Sequence, residues 1–158
     1  MSTGYIKSPI GVLEVICQGS LVSSINFVEK VGEYINPDEP TLKLCLSELE
    51  RYFKGELKSF SVGVKIESSE FSREVYRQLL GIKFGEVISY KELAKRAGRD
   101  RAFRAVGSAN GKNKIPIIIP CHRVIGANGL GGYSGGEGLK TKLWLLAHEG
   151  VDVSKFKI

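Results

Sequence analysis

The chain predicts an α+β protein of two units: a small α/β unit over residues 1–66, then a mainly helical unit with a helix-turn-helix over residues 67–158. Three observations carry this reading. Short strand-like runs crowd the first third, whereas helical apolar stripes dominate the rest. Charge divides at the same place, with 7 basic and 8 acidic side chains in residues 1–66 against 16 and 9 in residues 67–158. Finally, two short helical segments joined by a glycine-containing turn, the second bearing arginines, have the spacing of a helix-turn-helix.

The elements follow in order. "VLEVIC" and "LVSSINFV" flank the turn-forming "QGS" and read as a hairpin. After the loop "NPDEP", Leu42, Leu46, Leu49 and Phe53 recur at spacings of three and four, a helix closed by Gly55. "FSVGVKI" alternates, with Phe60, Val62, Val64 and Ile66 on one face, and reads as a half-buried strand.

Past "ESSE" (67–70), Phe71, Val75 and Leu79 stack on one side of a helix. Ser89 and Glu92 form the S-x-x-E pattern of a capping box before Leu93, Ala94 and Ala97, and Gly98 stands at the left-handed C-terminal position. Asp100 is placed to cap the next helix, from about 101 to 110. That helix lacks bulk at Ala102, Ala105, Gly107, Ser108, Ala109 and Gly111, so something approaches its backbone closely: a neighbouring element, or a nucleic-acid groove with Arg104 projecting into it. "IPIII" (115–119), with Pro116 inside it and Pro120 after it, reads as a buried extended segment. "GANGLGGYSGGEG" holds seven glycines, a loop able to come close to a ligand. A last helix, about 139–149, turns Leu139, Leu143 and Leu146 inward and stops at Gly150.

Composition narrows the function classes. No apolar run is long enough for a membrane span, and the start of the chain lacks a secretory pattern, so a cytoplasmic protein is expected, or a nuclear one in a eukaryote. Cys17, Cys45 and Cys121 are odd in number, widely spaced and without CxxC, which supports neither a disulfide framework nor a zinc site. Cys17 and Cys45 lie in apolar runs and read as buried. Residues 91–114 carry Lys91, Lys95, Arg96, Arg99, Arg101, Arg104, Lys112 and Lys114 against only Glu92 and Asp100, a surface suited to a polyanion.

"IPCHRV" (119–124) places a thiol, an imidazole and a guanidinium side by side. On a strand, neighbouring side chains would point to opposite faces; at a turn or helix start, a water can link them. An imidazole and helix-start amides nearby would lower the thiol pKa and favour the nucleophilic thiolate. The residues alone leave a reactive and a merely buried Cys121 both open.

"FGEVISY", "RAVG", "IPIIIPCHRV", "GGYSGG" and "WLLAHEG" occur in an order and spacing that resemble the O6-alkylguanine-DNA alkyltransferases, over about residues 71–150. The N-terminal unit resembles the family's ribonuclease-H-like domain in outline, with "SPIG" and "YFKGE" as the matching strings. The resemblance implies a winged-helix-like C-terminal domain, double-stranded DNA bound through the minor groove, a monomer, and neither cofactor nor metal. It implies transfer of an alkyl group from a flipped O6-alkylguanine to Cys121, once per chain because a thioether has no good leaving group; O4-methylthymine is a second candidate substrate.

Residue by residue, Cys121 matches the acceptor, His122 the histidine that takes the thiol proton through water, and Glu149 the carboxylate that orients it. Tyr90 matches the tyrosine that crowds the 3′ phosphate and donates to the departing guanine, and Arg104 the arginine that replaces the flipped base. Arg101, Ala102, Ala105 and Ser108 fall on the implied DNA face. Val124, Tyr133 and Ser134 match the base pocket, and Asn113 matches an asparagine tying the recognition helix to the active-site turn.

Glu137 and Gly138 stand as an insertion against the family pattern, the loop before Gly131 is a residue short, and Ser108 and Asn110 are expected to alter groove contacts. The rivals are a lesion binder without repair, a cysteine hydrolase and a plain helix-turn-helix binder. Cys121 argues against the first, the basic helix against the second, and Cys121, His122 and Glu149 together against the third.

Overall fold

The computed structural model describes residues 1–127 and 129–156; Asn128, within the glycine-rich loop whose length was read above, lies outside the described residues. The chain divides into two compact units, Met1–Ile66 and Glu67–Ile158.

The first unit is a meander of β1 (Ser2–Ser8), β2 (Gly11–Gln18) and β3 (Leu21–Val28), antiparallel throughout, with α1 (Pro40–Phe53) packed on it. Strand β2 sends Leu13, Val15 and Cys17 inward by simple alternation. On β3 the inward residues Val22 and Ile25 are three apart, which alternation forbids. A bulge resolves this: Cys17 pairs with Val22 and Ile16 with Ser24, so Ser23 is the extra residue, and its hydroxyl donates to Ile16 O at 3.1 Å. Strand β1 was not read from the sequence, because "STGYIKS" shows no apolar alternation; β2 on one side and the Thr3–Ile35 bridge on the other hold it.

Helix α1 starts at Glu39, whose carboxylate accepts from Leu42 N at 2.9 Å, with Pro40 in the first turn. Its buried face is Leu42, Cys45, Glu48, Leu49 and Tyr52 rather than the stripe expected through Leu46 and Phe53, which are half-buried. The "FSVGVKI" strand is also corrected. Only Val64 bridges, to Val22, and residues 60–66 are otherwise irregular because Glu48 captures their start. Its carboxylate accepts Ser61 N and Val62 N at 3.0 Å and the Ser61 hydroxyl at 2.7 Å. Glu48→Gln would turn an amide donor against these donors; a loss of about 1–3 kcal/mol is expected in urea unfolding.

The second unit contains α2 (Glu70–Leu80), β4 (Ile88–Ser89), α3 (Tyr90–Arg96), α4 (Phe103–Gly111), a 3₁₀ turn (Cys121–Arg123), β5 (Val124–Ile125), α5 (Leu139–His148) and a second 3₁₀ turn (Val153–Lys155). Ser89 caps α3 by accepting from Glu92 N at 3.0 Å, while Glu92 pairs forward with Arg96 instead of closing the box. At the other end Gly98 takes φ +72, and the bonds Arg99 N to Ala94 O (2.8 Å) and Gly98 N to Lys95 O (3.0 Å) make a Schellman motif. Asp100 does not cap α4. The helix begins after Ala102 with no side-chain cap, leaving Arg101 and Ala102 in the preceding turn.

The "IPIII" segment is buried but not extended. Ile118 N bonds Pro116 O across Ile117 at φ +75, a strained γ-turn, and Cys121 N bonds Ile119 O across Pro120 (φ −81, ψ 64), its relaxed inverse. A β-branched residue at positive φ costs of order 1–3 kcal/mol and persists where surroundings over-determine it. Asn113 does so, donating to Ile119 O at 2.7 Å and accepting from Ile115 N at 3.0 Å. Helix α5 also turns a different face inward: Thr141, Lys142, Leu145 and Leu146 are buried, and Leu139 and Leu143 only half so. No helix is long and apolar enough to cross a membrane among the described residues.

Candidate active site and nucleic-acid face

Cys121 opens the 3₁₀ turn directly after the two γ-turns, so two consecutive tight hydrogen-bonded loops aim it. His122 and Arg123 follow on the same turn and converge on Glu149, which the end of α5 delivers. Glu149 receives His122 Nε2 at 2.8 Å, Arg123 Nε at 2.8 Å and Arg123 Nη2 at 3.0 Å, while Arg123 Nη1 donates to Ile82 O at 2.6 Å. All three side chains are buried. Burial alone would raise the Glu149 pKa, but the hydrogen bonds and charges of His122 and Arg123 outweigh it and hold the carboxyl at about 2.

Burial lowers the His122 pKa, with Arg123 and Lys142 adding to it and Glu149 opposing. A neutral ring beside a permanent carboxylate carries its proton on Nε2, which leaves Nδ1 an acceptor. Nδ1 is buried without a hydrogen-bond partner, as are Asn110 Oδ1 and Tyr133 Oη, among the described residues. His122 adjoins Cys121 in sequence and Asn110 donates to Cys121 O at 3.3 Å, while the charge of a Cys121 thiolate adds to the upward shift of the Tyr133 pKa.

The thiol pKa moves opposite to expectation. Burial pushes it up, and the Asn113 amide and the Lys142 charge pull it down without prevailing. With Cys121 only 7 % exposed, the cost of desolvating a thiolate outweighs these lowering influences.

Lys142 was missed by the sequence reading. Its ammonium is fully buried, donates to Val124 O at 2.6 Å and Gly132 O at 3.1 Å, and burial lowers its pKa to about 8. It fastens the strand after the nucleophile to the glycine-rich loop. The signal was a stripe at 142, 145, 146 and 149 that is apolar in the middle and charged at both ends. Arg123 was missed as the second clamp on Glu149.

Tyr90 opens α3, with its ring between α4 and the glycine-rich loop. A Cβ on Gly131, which sits at φ +78, would come within 3.1 Å of it, so that position favours glycine, whereas one on Gly107 would meet the ring at an ordinary contact of 3.5 Å. Burial raises the Tyr90 pKa, against a hydrogen bond from the Gly132 backbone. Tyr133 has a pKa raised chiefly by burial, and Ser134 donates to Gly111 O at 3.3 Å, joining the loop to the end of α4. The inserted Glu137 and Gly138 start α5: Glu137 N donates to the Thr141 hydroxyl at 2.9 Å, and Gly138 sits at φ +65.

On α4, Arg104, Ala105 and Ser108 are exposed, whereas Val106, Ala109 and Asn110 are buried. Asn110 is therefore corrected from a groove residue to an inward one. Arg101 is exposed in the turn before the helix and Ala102 is half-buried. No group of three or more His, Cys, Asp or Glu side chains could hold a metal among the described residues.

Fold and site define a class: a small sheet unit followed by a helix-turn-helix unit that carries its own buried cysteine beside a His–Glu pair. Residues 1–66 match the 6-O-methylguanine DNA methyltransferase ribonuclease-like domain, and residues 70–151 match the DNA binding domain of the same family. A methylated-DNA–protein-cysteine methyltransferase of Methanosarcina acetivorans is 43% identical over 95% of this chain and 99% of its own. The Mycobacterium tuberculosis O6-methylguanine methyltransferase crystal structure superposes with a TM-score of 0.81 at 38% identity, covering 99% of this chain and 96% of its own. The same bacterium's protein in complex with DNA gives 0.80 at 40% identity, covering 92% and 90%. The chain belongs to the 6-O-methylguanine DNA methyltransferase family, with the mixed fold of a small N-terminal sheet domain and a helical C-terminal domain.

Proposed function

We propose that this protein is a methylated-DNA–protein-cysteine methyltransferase that repairs O6-alkylguanine by moving the alkyl group irreversibly to Cys121. The observation that carries the reading is the buried array in which Glu149 fixes the His122 tautomer and leaves Nδ1 unpartnered next to Cys121.

Because burial keeps the free thiol protonated, the thiolate forms as His122 Nδ1 takes the proton through a water. The sulfur attacks the alkyl carbon in line, the carbon–O6 bond breaks with its electrons going to guanine, and the proton returns to the base. Tyr90, whose ring lies against the glycine-rich loop at Gly131, donates a hydrogen bond to the departing guanine. Val124, Tyr133 and Ser134 line the purine pocket, and Asn113 couples α4 to the active-site turn.

A paired guanine hides its O6, so the base leaves the stack at a cost of a few kcal/mol. The exposed small residues Ala105 and Ser108 support docking in the minor groove, with Arg104 filling the vacated place and Arg101 and Ala102 on the phosphates. One chain carries every residue named, and the protein acts as a monomer.

The DNA product tests this. A duplex with one O6-methylguanine is expected to return an intact strand with ordinary guanine; an abasic site or a released base would overturn the reading. Arg104→Ala is expected to slow repair in duplexes far more than attack on free O6-benzylguanine. It is also expected to reduce the salt slope of duplex binding by about one.

A further inference from the structure

We propose that Phe103 is a second, apolar probe of the duplex beside Arg104, its ring wedging against the base step next to the lesion; this rests on the repair reading above. Phe103 is the first residue of α4 and 38% exposed, one of two large hydrophobics so exposed in the second unit among the described residues. The Lys91 ammonium lies 5.8 Å from the ring centroid, and Arg101 and Arg104, both exposed, flank Phe103 within two residues in sequence. An exposed apolar ring with an ammonium against it and exposed arginines next to it in the chain suits a partner that offers flat π faces and phosphates together, which is nucleic acid.

Its place on the helix sharpens this. Phe103 and Gly107 are four residues apart and share a stripe, and Gly107 is where the Tyr90 ring meets α4. The ring is thus one turn from Tyr90, on the flank of the surface that bears Arg104. Ala105, Ser108 and Gly111 on the exposed surface let a groove approach closely. A ring protruding at one end of that surface must then enter the stack or hold the groove away. Apolar wedges of this kind unstack a base step, and here the unstacked step would adjoin the base to be extruded.

The test compares wild type with Phe103→Ala, Phe103→Leu and Arg104→Ala. It measures single-turnover rates on a duplex carrying O6-methylguanine and on free O6-benzylguanine, duplex affinity across salt, and emission of a fluorescent purine beside the lesion. For Phe103→Ala the duplex-to-free-base rate ratio is expected to fall about tenfold. Its salt slope should stay unchanged, since no charge is lost, and the fluorescent purine should lose its brightening. Phe103→Leu should recover part of each effect, because an aliphatic wedge also parts a step. An unchanged ratio and emission in Phe103→Ala, with Arg104→Ala still impaired on duplexes, would overturn the wedge and leave the repair reading standing. Equal losses on both substrates would also overturn it, as a structural role. No transfer from the duplex by wild type would instead remove the repair reading and the wedge with it.

Discussion

Glu149→Ala is expected to destabilise the protein by about 3–5 kcal/mol and to slow alkyl transfer about a hundredfold or more. The stability loss arises because Arg123 would remain buried with only Ile82 O to accept from it, and His122 would lose the acceptor for Nε2. Glu149→Gln keeps the volume and one acceptor, so it should lose less stability while still slowing transfer. Denaturant unfolding and single-turnover kinetics on both variants check this pair of outcomes.

The same residue sets an acid limit. Its folded pKa of about 2 lies below the ordinary 4.5, so the unfolded chain binds the proton more readily. The stabilisation is complete above about pH 4.5 and drains away as pH falls toward 2, about 3 kcal/mol in all. In Glu149→Gln this portion of the acid-induced loss should be absent.

Cys121→Ala is expected to abolish transfer from duplex and free base alike, while duplex affinity stays close to wild type. The proposed DNA face is on α4 and its preceding turn, and the Asn110 bond that links Cys121 to that helix ends on the Cys121 carbonyl, which alanine retains. Filter binding and transfer assays on one preparation separate these two properties. Residual transfer would place the acceptor elsewhere.

Local signals were legible where the chemistry is local. Ser89 caps α3 and Gly98 ends it because hydroxyl acceptors and positive φ are properties of single residues. The Cys121, His122 and Glu149 constellation was legible only through its resemblance to a family, since 26 residues separate the Arg123 guanidinium from the carboxylate it clamps. Tertiary demands explain the failures. "IPIII" looks extended by composition, yet Asn113 bends it into a γ-turn. "FSVGVKI" alternates like a strand, yet the Glu48 carboxylate takes the backbone donors at Ser61 and Val62. Lys142 was hidden because a buried lysine violates the apolar pattern by which helix faces are recognised; the carbonyls of Val124 and Gly132 help make it tolerable.

The most direct measurement is intact-protein and peptide mass spectrometry after incubation with excess duplex carrying O6-methylguanine. The expected result is a gain of one methylene unit, located on Cys121, that plateaus at one per chain and never reverses. Continued consumption of lesions beyond one per chain, or modification at Cys17 or Cys45 in its place, would contradict it.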